Sequence, residues 1–194
     1  MTVPFAILRH AATAWNAESR LQGLTDTPLS PSGEAEARGW RLPPPMDRWP
    51  RLSSPLRRAR QTAELLRPAS AVTTCSALRE MSFGVWEGYS IADLRRRVGP
   101  RFLAEESRGL DFEAPGGESP RAVMRRLAAW AAALDRPVVA VSHKAAIRAL
   151  LALATGWDMM GRPPSKLDWR CVHLFAVARD GAVRVERLNV ALAA

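Results

Sequence analysis

Val3 to Leu8 is a short apolar run that stops at Arg9-His10, the pattern of a buried parallel strand delivering polar groups at its carboxyl end. Ser30-Pro31 supplies an N-cap and a proline at the first helical position, which predicts a helix from about Pro31 to Leu42 before the Pro43-Pro44-Pro45 break. Arg51 to Ser54 reads as a second short strand. Leu56, Ala59, Ala63 and Leu66 then recur at helical spacing, so 56–66 should be a helix with its arginines on the other face. Ala71 to Cys75 is an edge strand by its composition. Ser119-Pro120 repeats the cap and proline signal and opens a helix to about Leu134; Pro137 to Val141 is a buried strand ending at Ser142-His143, followed by a helix from Lys144 to Ala154. Val172 to Ala178 and Val183 to Leu188 flank the turn signal Arg179-Asp180-Gly181, as in a terminal hairpin.

Strands alternating with helices predict an α/β fold, a three-layer α/β/α sandwich around a mostly parallel sheet. Ligands of such sheets bind beyond the carboxyl ends of the strands, where His10 and His143 both fall. Residues 78–114 break the alternation. They are polar, carry aromatic residues and hold one clear helical stretch at Ile91 to Val98, so they are expected to form a small cap on a single domain spanning 1–194.

Charge sharpens this picture. The 28 basic and 19 acidic residues leave a net charge of +9, and the only lysines are Lys144 and Lys166, so the excess is guanidinium suited to bidentate phosphate or carboxylate binding. An anionic small molecule is the expected partner. Nucleic acid is not expected, since no reader motif or aromatic ladder accompanies the arginines. Cys75 and Cys171 are too few for a disulfide framework, and no short-spaced Cys or His pair suggests a metal site or cofactor. With no leader pattern and no apolar run long enough for a membrane span, a soluble cytoplasmic protein is expected. The oligomeric state is open, a homodimer included.

Leu8-Arg9-His10-Ala11-Ala12-Thr13-Ala14-Trp15-Asn16 joins a strand end to a loop holding a guanidinium, an imidazole, a hydroxyl and an amide, a set able to bind and attack a phosphate. Here the sequence resembles the histidine phosphatase, or phosphoglycerate mutase-like, superfamily. The resemblance continues through Gln22-Gly23, Pro28-Leu29-Ser30, the stretch Ser53 to Thr62, Glu80 with the block Phe83 to Gly88, Pro115 to Ser119, and Val141-Ser142-His143. It implies that His10 takes up the phosphoryl group, that Arg9, Arg58 and His143 stabilise the charge on its oxygens, and that Glu80 donates a proton to the leaving group. It also places Thr13, Asn16, Gln22, Gly23 and Lys144 as substrate-binding residues. His10 must present an unprotonated nitrogen, so its other ring nitrogen should donate to a backbone carbonyl. His143 would serve better protonated.

Other residues receive structural roles. Arg57 and Arg58 point about 100° apart on a helix, so only one enters the pocket, and the resemblance selects Arg58. Arg60, Arg67 and Arg95-Arg96-Arg97 read as solvated, Glu87 as a structural hydrogen-bond acceptor, Glu118 as favourable charge near a helix start, and His173 as part of an apolar strand. The chain also departs from the family pattern. The usual glycine after the reactive histidine is Ala11, tolerable if its φ is negative, and the acidic residue common next is Ala12. Lys144 and Ala145 replace glycines after His143, giving a bulkier and more positive pocket wall. The short cap and the Phe83 to Gly88 block are most similar to α-ribazole phosphatases of cobalamin assembly or to small general phosphatases. They imply phosphomonoester hydrolysis, with mutase-type transfer and a catalytically weak regulatory protein as alternatives.

Overall fold

The computed structural model describes residues 2–193. Its strands are β1 (Thr2–Arg9), β2 (Arg51–Ser53), β3 (Val72–Thr74), β4 (Val138–Ser142), β5 (Cys171–Ala178) and β6 (Val183–Ala191). The helices are α1 (Ala14–Ala17), α2 (Pro31–Gly39), α3 (Arg57–Leu65), α4 (Ile91–Arg97), α5 (Pro100–Glu106), α6 (Pro120–Ala132) and α7 (Lys144–Thr155). The sheet order is β3-β2-β4-β1-β5-β6. The first four of these strands run parallel, and β5 and β6 add antiparallel to the edge beside β1.

The two-residue period of β1 sorts its side chains between two cores. Phe5 and Ile7 pack with Val138 and Ala140 of β4 against Val123, Leu127 and Trp130 of α6 and Ile147, Leu150 and Leu151 of α7. Ala6 and Leu8 face the other way and pack with Val139 and Val141 against Ala59, Ala63 and Leu66. Helices therefore cover both faces, which is the expected sandwich. Both anticipated N-caps are present: Ser30 Oγ accepts from Gly33 N at 3.1 Å and Ser119 Oγ from Ala122 N at 3.3 Å, each before a proline at the start of its helix.

Residues between β3 and α6 differ most from expectation, because α5 joins α4 where the sequence showed one helical stretch. The two helices enclose a third apolar cluster of Trp86, Leu94, Phe102 and Ala114, with the Trp86 and Phe102 rings 5.0 Å apart. Phe83 and Phe112 touch both this cluster and the main core, so the cap is seated on the sheet layer. It is also tied to the loop after α1, through Leu21 N to Tyr89 O at 2.9 Å and Gly88 N to Leu21 O at 2.8 Å. Among the described residues, no helix is long and apolar enough to cross a membrane.

Candidate active site

Parallel pairing of β1 with β4 sets Arg9 opposite Ser142, and His10 N donates to Ser142 O at 3.0 Å, so the next residues, His10 and His143, emerge side by side. Their ring centroids are 5.1 Å apart. His10 Nδ1 lies 2.7 Å from the Ala11 carbonyl oxygen. A carbonyl can only accept, so Nδ1 carries the proton and Nε2 keeps its lone pair. Burial first, then the neighbouring Arg9 and Arg58 cations, hold this imidazole well below its ordinary pKa, which keeps it neutral. His143 Nε2 lies 2.7 Å from Ser54 Oγ, and its buried Nδ1 has no partner. Burial first, then Arg58, His10 and Arg9, push the pKa of His143 well down, which favours its neutral form over the protonated one that would serve better.

Arg58 is fully buried on α3 and aimed by two backbone carbonyls, with Nη1 to Thr25 O and Nη2 to Gly23 O each at 2.8 Å. Its Nε is buried and unpaired, as is that of Arg9. Arg57, the alternative, is exposed, as are Arg60, Arg67 and Arg95 to Arg97. Burial lowers the pKa of both Arg9 and Arg58, opposed chiefly by Glu80. The carboxylate of Glu80 accepts from Met81 N at 2.9 Å and Ala146 N at 3.0 Å through Oε1, and from Ala145 N at 3.2 Å through Oε2.

Arg9, His10, Asn16, Gln22, Arg58, Glu80 and Lys144 line one cavity of about 710 Å³. Thr13, Gly23 and the fully buried His143 do not. Thr13 caps α1: its N and Oγ1 donate to Asn16 Oδ1 at 3.0 and 3.1 Å while Oγ1 accepts from Asn16 N at 3.2 Å. Asn16 therefore spends its carbonyl on the cap and keeps its amide hydrogens for the cavity. Gln22 likewise accepts from Thr27 Oγ1 at 2.8 Å and keeps its donors. Gly23 stands behind Arg58 and presents its carbonyl to it.

Glu87 braces this loop, accepting from Leu24 N, Thr25 N, Thr25 Oγ1 and Phe83 N at 2.6–3.1 Å. Glu118 does more than complement a helix start. It receives Arg126 through two bonds of 2.9 and 3.1 Å, and Arg126 reaches on to the carbonyls of Ala77 at 2.5 Å and Glu80 at 3.2 Å. Helix α6 thus holds the backbone beneath Glu80.

The sequence profile of the histidine phosphatase superfamily (branch 1) matches residues 5–191. The chain belongs to the histidine phosphatase superfamily. A Salmonella paratyphi C protein named probable phosphoglycerate mutase GpmB is 34% identical over 168 residues, 77% of this chain and 74% of that protein. The structure of mycobacterial glucosyl-3-phosphoglycerate phosphatase superposes with a TM-score of 0.73 at 31% identity, covering 99% of this chain and 100% of that one. An Escherichia coli K-12 structure described as a "putative alpha-ribazole-5'-P phosphatase" gives a TM-score of 0.80 over 99% and 98% of the two chains at 22% identity, a likeness of fold.

Against the superfamily pattern, the methyl group of Ala11 is accommodated without strain. Among the described residues, the non-glycine positions with positive φ are Ser19, Met159 and Asn189, so Ala11 is not one of them. Its side chain packs with Leu29 and Ala37, and its N–H donates to Thr62 Oγ1 at 3.0 Å, which in turn donates to Arg58 O at 2.7 Å. Several cavity residues were not anticipated. Arg148 lies one turn beyond Lys144 on α7, a spacing that helical periodicity makes visible. Arg20 and Met159 come from loops that carry no local signal of a site, as does Trp169, which lies outside the cavity lining with its ring under Arg9.

Proposed function

We propose that this chain hydrolyses small-molecule phosphate monoesters through a phosphohistidine on His10, without a metal ion. The observation that carries the reading is the bond from His10 Nδ1 to the Ala11 carbonyl, which leaves Nε2 as a buried, neutral nucleophile among cations. In the first step the Nε2 lone pair forms a bond to phosphorus while the bond from phosphorus to the ester oxygen breaks. Glu80 donates the proton that the leaving alkoxide takes up. In the second step water attacks phosphorus, Glu80 takes its proton, the P–N bond breaks and inorganic phosphate leaves. Oε2 of Glu80, with one backbone donor against two for Oε1, is the freer oxygen for this exchange.

The transferring group carries its charge on three equatorial oxygens, which the unpaired Nε groups of Arg9 and Arg58 and the unpaired Nδ1 of His143 are suited to receive. The hydroxyl of Ser54 accepts weakly from Leu56 N at 3.3 Å, so its own proton is available to His143 Nε2. In the tautomer where Ser54 donates to Nε2, Nδ1 carries the hydrogen and donates to a phosphoryl oxygen. Rapid quenching with labelled substrate should yield an acid-labile, base-stable phosphoenzyme that is absent from His10→Ala, with turnover persisting in excess chelator. Wild-type turnover by His10→Ala, or reversible loss of activity on chelation, would sink the proposal.

Mutase activity is the second reading, favoured by the 34% identity to the protein named probable phosphoglycerate mutase. Incubation with 3-phosphoglycerate separates the two, since hydrolysis releases glycerate and inorganic phosphate whereas mutation yields 2-phosphoglycerate. For α-ribazole 5'-phosphate as substrate, the support is a likeness of fold at 22% identity.

A further inference from the structure

We propose that Lys144 and Arg148 form a second anion subsite in the cavity, so that the preferred substrate is a phosphate monoester whose leaving group itself carries a carboxylate or second phosphate. This rests on the hydrolytic reading and assigns its substrate class. The two residues stand four apart on α7 and line the same cavity as His10, Arg58 and Glu80. Like charges at this spacing repel each other on a helix, and for Lys144 the more distant Glu80 carboxyl opposes that repulsion only in part. Among the described residues, neither side chain has a carboxylate within 4.0 Å or a hydrogen-bond acceptor. Arg9 and Arg58 face the transferring phosphoryl group, and the remaining charges of the cavity are paired or bonded within the protein. Glu106 holds Arg95 at 2.8 and 3.0 Å, Arg20 pairs with Glu18, and Glu80 accepts three backbone N–H groups.

Aromatic rings take the place of counter-ions. Lys144 Nζ lies 5.7 Å from the centroid of Trp169 and the Arg148 guanidinium 4.8 Å from that of Trp157. An indole face orients a cation and leaves its charge available. The segment bearing these rings is itself anchored. Trp157 Nε1 donates to Met160 O at 2.9 Å, and Asn189 holds it from β6, donating to Lys166 O at 2.9 Å and accepting from Asp168 N at 2.7 Å. Burial, then Arg9 and Arg148, lower the pKa of Lys144 against an opposing Glu80, and burial lowers that of Arg148, a penalty that a bound anion relieves.

Position fixes the size of the ligand. Lys144 directly follows His143, and Arg148 lies five residues beyond it, about 7.5 Å along a helix at 1.5 Å per residue. An anion gripped by both cations therefore sits a few bonds from the transferring phosphorus. α-Ribazole 5'-phosphate, with an uncharged leaving group, falls in the disfavoured class.

The test compares kcat/KM for two matched pairs, 3-phosphoglycerate against glycerol 3-phosphate and fructose 1,6-bisphosphate against fructose 6-phosphate. The first pair probes a carboxylate, the second a phosphate. Wild-type enzyme should prefer the more anionic member of at least one pair by tenfold or more, and Lys144→Met and Arg148→Met should each collapse that ratio toward one, mainly through KM. Arg148→Lys should restore part of it. An absent preference in both pairs, or a preference that survives both methionine variants, overturns the subsite. Failure of the hydrolytic reading shows differently, as no turnover of any substrate, aryl phosphates included. Calorimetric binding then decides the subsite: 3-phosphoglycerate must bind at least tenfold tighter than glycerol 3-phosphate in wild type but not in Arg148→Met, and any other result overturns it.

Discussion

Glu80 Oε1 accepts the N–H of Ala146 at 3.0 Å, joining residues 66 positions apart in sequence. The N-cap residue of α7, His143, offers that helix no side-chain cap, so the carboxylate of Glu80 supplies one from outside. One group thus closes a helix and faces the cavity, and its substitution must be read for both effects.

Glu80→Gln keeps the size of the side chain and an acceptor oxygen but cannot exchange a proton. It should slow hydrolysis of an alkyl phosphate by about 10² to 10⁴, and that of an activated aryl phosphate, whose leaving group needs no proton, by less than about tenfold. Equal losses on the two substrates would assign Glu80 to capping alone. Glu87→Gln is the comparison, because Glu87 is spent on four donors of the loop and cap. A leaving-group effect in that variant instead would mean that the acid had been misassigned.

The sandwich and the pairing of His10 with His143 were legible because local signals carry them. Apolar runs ending in polar residues gave the two strand ends, and a serine followed by proline marked the starts of α2 and α6. Arg58 was separable from Arg57 by helical angle and resemblance together. What escaped was long-range. Glu118 looked like helix-terminal charge because its partner, Arg126, is two turns further along α6 and the Glu80 carbonyl that Arg126 holds is remote in sequence. Trp157 and Trp169 flank a segment without periodicity, so their placement under Arg148 and Lys144 could not be read from spacing. The neutrality of His143 follows from complete burial beside Arg58, which no motif reports.

Gly23 shows how the loop aims Arg58. Its φ is +51°, and a Cβ built there would lie 1.9 Å from Glu87 Oε1. Gly23→Ala should therefore cost about 1–3 kcal/mol of stability and lower kcat/KM on an aryl phosphate, since the displaced carbonyl no longer orients the guanidinium. In a double-mutant cycle with Glu87→Ala, measured by urea unfolding, the joint loss should be smaller than the sum because the clash is gone. Strict additivity would assign the whole cost to the backbone angle.

Ala11→Gly would restore the residue usual in the superfamily, yet it should not improve this protein. The native φ already suits alanine, and the methyl group fills a buried cluster with Leu29 and Ala37. Added freedom in the unfolded chain should cost about 0.4–1 kcal/mol, with turnover within a few-fold of wild type. A gain in both stability and rate would show that the loop is strained by the methyl.

His173 sets a pH dependence of stability that is separable from the catalytic pair. It is fully buried in β5, its Nδ1 accepts from Asn189 N at 3.2 Å, and burial, opposed by Asp168, lowers its pKa to about 4. An accepting Nδ1 means that the proton sits on Nε2 and the ring is neutral. In the unfolded chain the same ring titrates near the ordinary 6.5, so between pH 6.5 and 4 the unfolded state binds a proton that the folded state does not. Its contribution to stability is complete above that window and falls as pH drops through it, by up to about 2 kcal/mol between pH 7.5 and pH 5. His10 and His143 shift in the same direction and add to the slope, so substitution must isolate the share of His173. His173→Asn keeps an acceptor near the Nδ1 position without a titrating group, and urea unfolding at the two pH values should show a pH dependence reduced by as much as one proton. An unchanged dependence would mean that His173 is not held neutral in the fold.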